Sequence, residues 1–443
     1  MPKNELERNI TLGVALSTLV GSVIGAGIFF KPTAVFSATG SGWLGILAWI
    51  IAGVTVIAGG LTVAELGVLF PQTGGIIVYL EKAFGELVAF LAGWVQMTVY
   101  FPANMAALSI IFATQFISLF EVDGAFLIPV AIVTLTFIIL INFLGTRYSG
   151  RLQSVFTILK FLPVIIITVA GLWYQSGSSL VVHLFPAETN GQGSLFTQLG
   201  SGVLATLFAY DGWLNIGTLA GEMKNPKRDL PKVVTIGLGI VMITYVVINL
   251  AYLTVAAPSE LAATTTPAAL VANRLFPGVG GRIITIGILV SVFGGLNGYT
   301  MSAIRIPYVM AKRQWLPYSH KLGRIHRHTY VPVASGLVVF AIAILMMFSG
   351  SFDGLTNLLV FSIWIFTVLT FVTVFIFRKK YPEERSYKVP LYPIVPLIAI
   401  AGGSFVVLNS IITETINSLL GGVLTLAGLP VYWYAKKKIQ KKS

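Results

Sequence analysis

Apolar residues occupy the chain in long runs, and short polar segments separate each run from the next. A helix needs about 20 largely apolar residues to cross the hydrocarbon core of a membrane. The runs that approach this length are residues 11–36, 43–69, 87–119, 126–143, 152–174, 195–220, 233–256, 282–310, 333–349, 355–377, 391–413 and 416–434. We therefore predict an all-α integral membrane protein with 12 transmembrane helices, forming a single domain over residues 1–443.

Two details of the pattern predict departures from straight helices. The third run is longer than a bilayer requires and is interrupted by Pro102, so we expect a tilted or kinked span there. The connection 257–281 holds three prolines around an Ala- and Thr-rich stretch, which predicts one short surface helix in an external loop. Residues 1–9 are short and mixed in charge, unlike a cleavable signal, so the first span should remain in the mature protein.

Two of the runs carry residues that interrupt a helix. The first has three glycines within residues 21–27, and the sixth contains the polar and glycine-bearing stretch 208–213. A glycine inside a helix costs about 1 kcal/mol relative to alanine, so such clustering needs a reason. The first and sixth runs hold the same place in two five-span halves, and corresponding interrupted segments point to the binding site of a transporter. An odd number of spans in each half predicts halves of opposite topology.

Broken helices inside a membrane expose peptide groups that lipid cannot satisfy. A half-helix starting at Ile28 presents N–H groups and a positive dipole end, which suit a carboxylate. A half-helix ending near Phe208 presents carbonyls, which suit an ammonium. Together they would recognise a zwitterionic α-amino acid. The alternative is that the glycines only allow close helix packing.

The charge distribution supports a membrane protein rather than a nucleic-acid binder. Only 10% of the residues are charged and 56% are hydrophobic, although the net charge is +13. All but five of the 29 Lys and Arg residues lie in both tails and in the loops 70–86, 144–151, 221–232, 311–332 and 378–390. The exceptions are Lys31, Arg274 and Arg282, expected in external loops, and Lys160 and Arg305 in the membrane zone. The positive-inside rule then predicts that both termini are cytoplasmic, in a cell inner (plasma) membrane.

Four motifs resemble one family. Residues 25–29 (GAGIF), 70–75 (FPQTGG), 208–213 (FAYDGW) and 221–226 (GEMKNP) are similar to those of the L-amino-acid transporters within the amino acid, polyamine and organocation superfamily, above all to bacterial serine/threonine and alanine/serine/cysteine exchangers. The resemblance covers essentially the whole chain. It implies the leucine-transporter fold, a 5+5 inverted repeat with broken helices 1 and 6 and two extra C-terminal helices. The expected parts are repeat one at about 11–174, repeat two at about 195–377, and helices 11 and 12 at about 391–434.

The resemblance also implies a site at the first break. The substrate carboxylate would bind the backbone amides of Gly25, Ala26 and Gly27, and Val23 would offer a carbonyl to the ammonium. Family members often have serine where Ala26 stands, so a hydroxyl contribution is absent here. The backbone amide is unaffected.

At the second break, Phe208 would lie over the substrate as a gate, and Ala209 and Asp211 would line the site. Asp211 has an alternative reading, in which it is hydrogen-bonded to freed backbone amides. Asn297, in span eight, is expected to face the site, and interhelical hydrogen bonding is an equally good account of it.

Lys160 lies inside the fifth predicted span, where a lysine costs about 2.5–3.5 kcal/mol on insertion scales. That cost makes it a functional candidate, with snorkelling to the cytoplasmic interface as the alternative. In sodium-coupled relatives of the implied fold a cation lies between spans one, five and eight, and the Lys160 ammonium would take its place and tether span one, with Tyr245 taking part. Glu65 is expected to form a cytoplasmic ion pair, with Arg305 as a candidate partner.

These features predict a sodium-independent amino acid antiporter that exchanges small neutral L-amino acids (Ala, Ser, Thr, Cys, Gly) by alternating access. Proton-coupled uptake through Asp211 or Lys160 and a membrane channel are the rival functions. An enzyme is disfavoured because paired carboxylates, metal ligands and a nucleophile with its base are missing from the sequence pattern, and no cofactor is expected. The chain has no cysteine, so a disulfide-linked heavy subunit is not expected and a self-sufficient bacterial carrier is favoured.

Overall fold

The structure, a computed structural model, describes residues 11–70, 75–174, 180–185, 194–215, 223–382 and 386–440, and helices dominate these residues. The helices are α1 Leu12–Val23, α2 Gly27–Thr39, α3 Gly42–Leu69, α4 Ile76–Phe84, α5 Glu86–Val95, α6 Phe101–Phe120, α7 Leu127–Phe143, α8 Thr146–Leu159, α9 Phe161–Trp173, α10 Leu180–Leu184, α11 Leu195–Leu207, α12 Pro226–Val255, α13 Pro258–Ala262, α14 Pro267–Leu275, α15 Val279–Ala303, α16 Arg305–Lys312, α17 Ser319–Leu322, α18 Val333–Ser349, α19 Phe352–Lys380, α20 Ile394–Thr413, α21 Thr415–Leu426 and α22 Gly428–Gln440.

The described residues include nine helical stretches that are long and apolar enough to cross a membrane. Helices α1 and α2 taken together are also long and apolar enough, and they are bent by 46° at the break between them. The shorter apolar helices Leu195–Leu207 and Val333–Phe348 coincide with the sixth and ninth predicted spans. The all-helical membrane architecture is confirmed, and the count of 12 spans in a 5+5 repeat stays a prediction.

The first break is narrower than the sequence predicted. Helix α1 continues to Val23 because the N–H of Ile24 still donates to the carbonyl of Val20, at 2.9 Å. Only residues 24–26 leave the helix, and α2 starts at Gly27, one residue before the expected Ile28.

The second break follows α11. That helix ends at Leu207, residues 208–212 form turns, and a 3-10 turn covers Trp213–Asn215. The last five residues of the predicted sixth span, 216–220, and residues 71–74 and 221–222 of the family motifs lie outside the described residues.

The predicted distortion of the third span is a π-helical turn. Residues Gln96–Tyr100 form this turn between α5 and α6, and Pro102 stands in the first turn of α6. Proline has no N–H to donate to the preceding turn, which accounts for the loss of regular α-helical bonding there. The span is therefore a continuous helix with one wider, π-helical turn that ends at Tyr100.

Two sequence predictions about the loops need correction. The connection 257–281 contains two helices, α13 and α14, rather than one. Glu65 pairs with Arg378, at 2.6 Å, and accepts the N–H of Val389 at 2.7 Å, rather than pairing with Arg305. Arg305, at the start of α16, instead donates to the carbonyl of Met301 near the end of α15. Glu65 therefore joins the end of α3 to the end of α19.

Candidate functional site

The two helix breaks touch each other at the centre of the protein. A Cβ atom added at Gly27 would lie 2.5 Å from the Cα of Ala209 in the second break. Gly212, with φ of +96°, would bring a Cβ atom 2.9 Å from the carbonyl oxygen of Ser22. Only glycine permits this approach of backbone to backbone. The packing alternative therefore explains Gly27, in addition to any role in binding.

Gly25 differs from Gly27. Among the described residues, the atom nearest to a Cβ added there is the carbonyl oxygen of Val23, at 3.9 Å. Packing therefore does not require glycine at this position. The first amides of α2, at Gly27 and Ile28, have no acceptor within their own helix by helix geometry. The break thus combines open space beside Gly25 with a positive helix end, and Ala26 between them is buried.

The hydroxyl of Tyr245 connects the breaks. It lies 2.6 Å from the carbonyl oxygen of Ala209 and 2.9 Å from that of Val23. A phenol carries one proton and can donate to one carbonyl at a time. The other carbonyl is left with capacity for a second donor, which a substrate ammonium would supply.

Lys160 stands at the junction of α8 and α9, and its Nζ donates to the carbonyl oxygen of Gly21 in the last turn of α1. Its side chain is buried, so the snorkelling alternative does not describe this structure. Gly21 itself packs against Thr157, one turn before Lys160. The tether between spans five and one that the sequence suggested is present as a contact.

Asp211 is held by two tyrosines that sequence reasoning did not identify. Its Oδ2 accepts hydrogen bonds from the hydroxyls of Tyr100 and Tyr299, each at 2.7 Å. It also accepts from the N–H of Gly212, as the backbone alternative expected. The π-helical turn ends at Tyr100, which links the distortion of the third span to this carboxylate.

Phe208, the first residue of the second break, is 6% exposed. Its ring meets that of Phe352 edge-on, with centroids 5.4 Å apart. Lys31, expected in an external loop, is instead fully buried in α2 with its Nζ 5.4 Å from the Phe208 centroid. Lys31 belongs to the neighbourhood of the site, and its expected position in an external loop is wrong because α2 continues past it to Thr39.

A family model described as amino acid permease matches residues 11–428 of the chain, which include both helix breaks. The chain belongs to the amino acid permease family. The predicted kinship with the L-amino-acid transporters is confirmed by its relatives.

This permease is 40% identical to the serine/threonine exchanger SteT of Bacillus subtilis (strain 168) over 441 residues, covering 98% of each chain. It is 30% identical to the cystine/glutamate transporter of Homo sapiens over 443 residues, covering 97% of this chain and 86% of that one. It is 29% identical to the large neutral amino acids transporter small subunit 2 of Homo sapiens over 435 residues, covering 97% and 80%. These relatives are transporters and not enzymes. The 443 residues of the permease hold no cysteine and cannot form a disulfide with a second subunit.

In the permease, the hydrogen bonds of Asn297 go to helices other than those that form the two breaks. It is fully buried and accepts from Asn142 at 3.0 Å, while its own Nδ2 donates to Gln153 at 2.9 Å and to the carbonyl of Ser149 at 3.2 Å. These bonds join α15 to α7 and α8. The interhelical alternative therefore accounts for Asn297, and we do not carry it into the proposed site.

Proposed function

We propose that this permease is a sodium-independent antiporter that exchanges small neutral L-amino acids (Ala, Ser, Thr, Cys, Gly) by alternating access. The observation that carries the proposal is the contact between two broken helices. It leaves open space at Gly25, and it brings two carbonyls to the Tyr245 hydroxyl, which can donate to only one of them. Binding needs no cofactor because peptide groups supply the donors and acceptors.

The amino acid backbone is recognised by the first break. Its carboxylate binds the amides of Gly25, Ala26 and Gly27 at the positive end of α2, where a helix start favours anions. Its ammonium binds the carbonyl of Val23. Neither end requires a charged side chain, so the same site accepts any zwitterion whose side chain fits.

The preference for neutral side chains follows from the second break. Asp211 lies beside the site, but Tyr100 and Tyr299 both donate to it, and this satisfies the carboxylate without a cationic partner. Phe208 and Ala209 are buried next to the break and supply an apolar boundary. One relative, the serine/threonine exchanger SteT of Bacillus subtilis, agrees with a small neutral substrate.

Sodium independence is inferred from Lys160. Its ammonium is already bonded to the carbonyl of Gly21 between spans five and one, so a cationic group that is part of the chain takes the place of a bound ion. A covalently attached cation cannot be co-transported. We therefore propose that coupling is to a second amino acid, and that the termini are cytoplasmic as the loop charges predict.

The test is uptake of labelled serine into proteoliposomes. Internal unlabelled serine should accelerate uptake strongly, whereas sodium and pH gradients should have little effect. Uptake that requires sodium would contradict the proposal, and uptake driven by an imposed pH gradient would select proton coupling through Asp211 or Lys160. Non-saturable flux without trans-stimulation would indicate a channel.

A further inference from the structure

An ion pair that is buried on its Lys31 side joins the two halves of the chain on the predicted external side of Phe208. The Nζ of Lys31 in α2 lies 2.7 Å from Oδ1 of Asp353 and 2.6 Å from Oγ1 of Thr356, both in the first turns of α19. Thr356 gives its own proton to the Asp353 carbonyl at 3.0 Å, so its oxygen accepts from Lys31. The Lys31 side chain is 1% exposed and that of Asp353 is 49% exposed.

Aromatic rings complete the enclosure of this ammonium. The Nζ of Lys31 lies 4.8 Å from the centroid of Phe352 and 5.4 Å from that of Phe208. Both distances are within the range at which a cation is attracted to a ring face. Because Phe352 also packs edge-on against Phe208, the ion pair and the gate residue form one contiguous contact.

A cavity of about 900 Å³ lies on the other side of the ion pair. Asp353 lines this cavity whereas Lys31 does not. Its polar lining includes Thr33, Ser37, Gln198, Ser201, Asn357 and Glu414. Lys31, Asp353 and Phe208 therefore lie between this polar cavity and the helix breaks.

We propose that Lys31, Asp353 and Thr356 form an external latch, which holds α2 against α19 and closes the substrate site toward this cavity. Separation of the pair inside the protein would leave a buried ammonium unpaired, which is strongly unfavourable. Separation becomes favourable only when water from the cavity reaches Lys31 as α2 moves from α19. The latch therefore has a closed and an open state, and it assigns to Lys31 and Asp353 a gating role that rests on the proposed transport function.

The absence of native cysteine allows a direct test. A single Ala209→Cys substitution places a thiol at a position that is 2% exposed and lies in the break behind the latch. A small membrane-impermeant methanethiosulfonate added from the external side should label it slowly. Adding Lys31→Gln or Asp353→Asn should raise this labelling rate at least about tenfold, because removing one partner of the pair destabilises the closed state, in which the Lys31 side chain is buried.

Two controls separate gating from general loosening. A single Ser201→Cys thiol, in the cavity outside the latch, should be labelled at the same rate with and without the latch substitutions. Arg282→Gln removes another positive charge on the same face, 67% exposed and paired only at 3.8 Å with Glu121, and should not change labelling at position 209. Labelling of the position 209 thiol from the cytoplasmic side should fall in the latch variants, whereas a loosened protein would gain reactivity from both sides.

The latch proposal is overturned if external labelling at position 209 is insensitive to both Lys31→Gln and Asp353→Asn, or if labelling rises from both faces. If Lys31→Gln does not fold, Asp353→Asn provides the same labelling measurement, because a substitution at a half-exposed side chain disturbs the fold less. Serine exchange by the cysteine-free parent is measured in parallel. Absent exchange with responsive labelling would defeat the proposed function and leave the latch, and the reverse result would defeat the latch alone.

Discussion

Gly25→Ala is the substitution that most directly tests whether the first break binds substrate. The added methyl meets only the Val23 carbonyl oxygen at 3.9 Å among the described residues, and φ of Gly25 is outside the left-handed region. The protein itself therefore has room for the change. Replacing glycine by alanine at such a position stabilises a fold by about 0.4–1 kcal/mol, because the unfolded chain loses freedom.

Substrate binding should respond in the opposite direction. The methyl group would occupy the open space into which the carboxylate is proposed to fit, and would displace it from at least one amide. A hydrogen bond to a charged group contributes about 1.5–3 kcal/mol, and each 1.4 kcal/mol is a factor of about ten in affinity. We expect serine to bind about 10- to 100-fold more weakly, with thermal stability unchanged or slightly raised.

The assay is the external concentration of serine that half-saturates exchange, measured beside the melting temperature in detergent. Gly13→Ala is a matched control in the same span, since no described atom lies within 4 Å of its added methyl. Gly27→Ala is the opposite control, and should lower folded yield because its methyl would lie 2.5 Å from the Cα of Ala209. The reasoning is refuted if Gly25→Ala exchanges serine like the parent, or if it fails to fold while Gly13→Ala folds.

Three further outcomes are expected. Tyr245→Phe removes the hydroxyl donor shared by the two breaks, and should weaken serine exchange about tenfold or more, since an unsatisfied buried carbonyl costs about 1–3 kcal/mol. The variant should still fold, and exchange at the rate of the parent protein would contradict this role of Tyr245. Lys160→Met removes the tether to span one and should reduce exchange at least about tenfold, without restoration by sodium; sodium-stimulated uptake would instead indicate that an ion site had been exposed. In the connection 257–281, the Arg274 guanidinium lowers the pKa of Glu260 to about 2. Because this pKa is depressed from 4.5, the ion pair contributes its full stabilisation above pH 4.5 and loses it as the pH falls toward 2. Glu260→Gln should therefore lower the free energy of unfolding at pH 7 by less than about 1 kcal/mol, since the pair is partly exposed. Near pH 2 the variant should be as stable as the parent.

The sequence alone determined that the chain is an all-helical membrane protein and where two of its helices are broken. Long apolar runs indicate membrane-spanning helices because the bilayer thickness sets their minimum length. The clustered glycines of residues 21–27 indicate that the first helix is broken there. Both signals are local in the chain. The break was nevertheless predicted too wide, since Gly21 and Ser22 stay helical as long as their neighbours retain hydrogen bonds to the preceding turn. Helix ends depend on which amides find acceptors, and composition does not settle that.

The partners of the polar side chains were decided only by the tertiary structure. Lys31 and Asp353 are 322 positions apart, and Lys31 was expected in an external loop with no partner assigned to it. Asn297 was assigned to the site on its polarity, yet its hydrogen bonds go to neighbouring spans. Hydropathy assigns each residue a depth in the membrane but no azimuth around the bundle. The packing of the helices fixes that azimuth, and with it which carboxylate meets which ammonium.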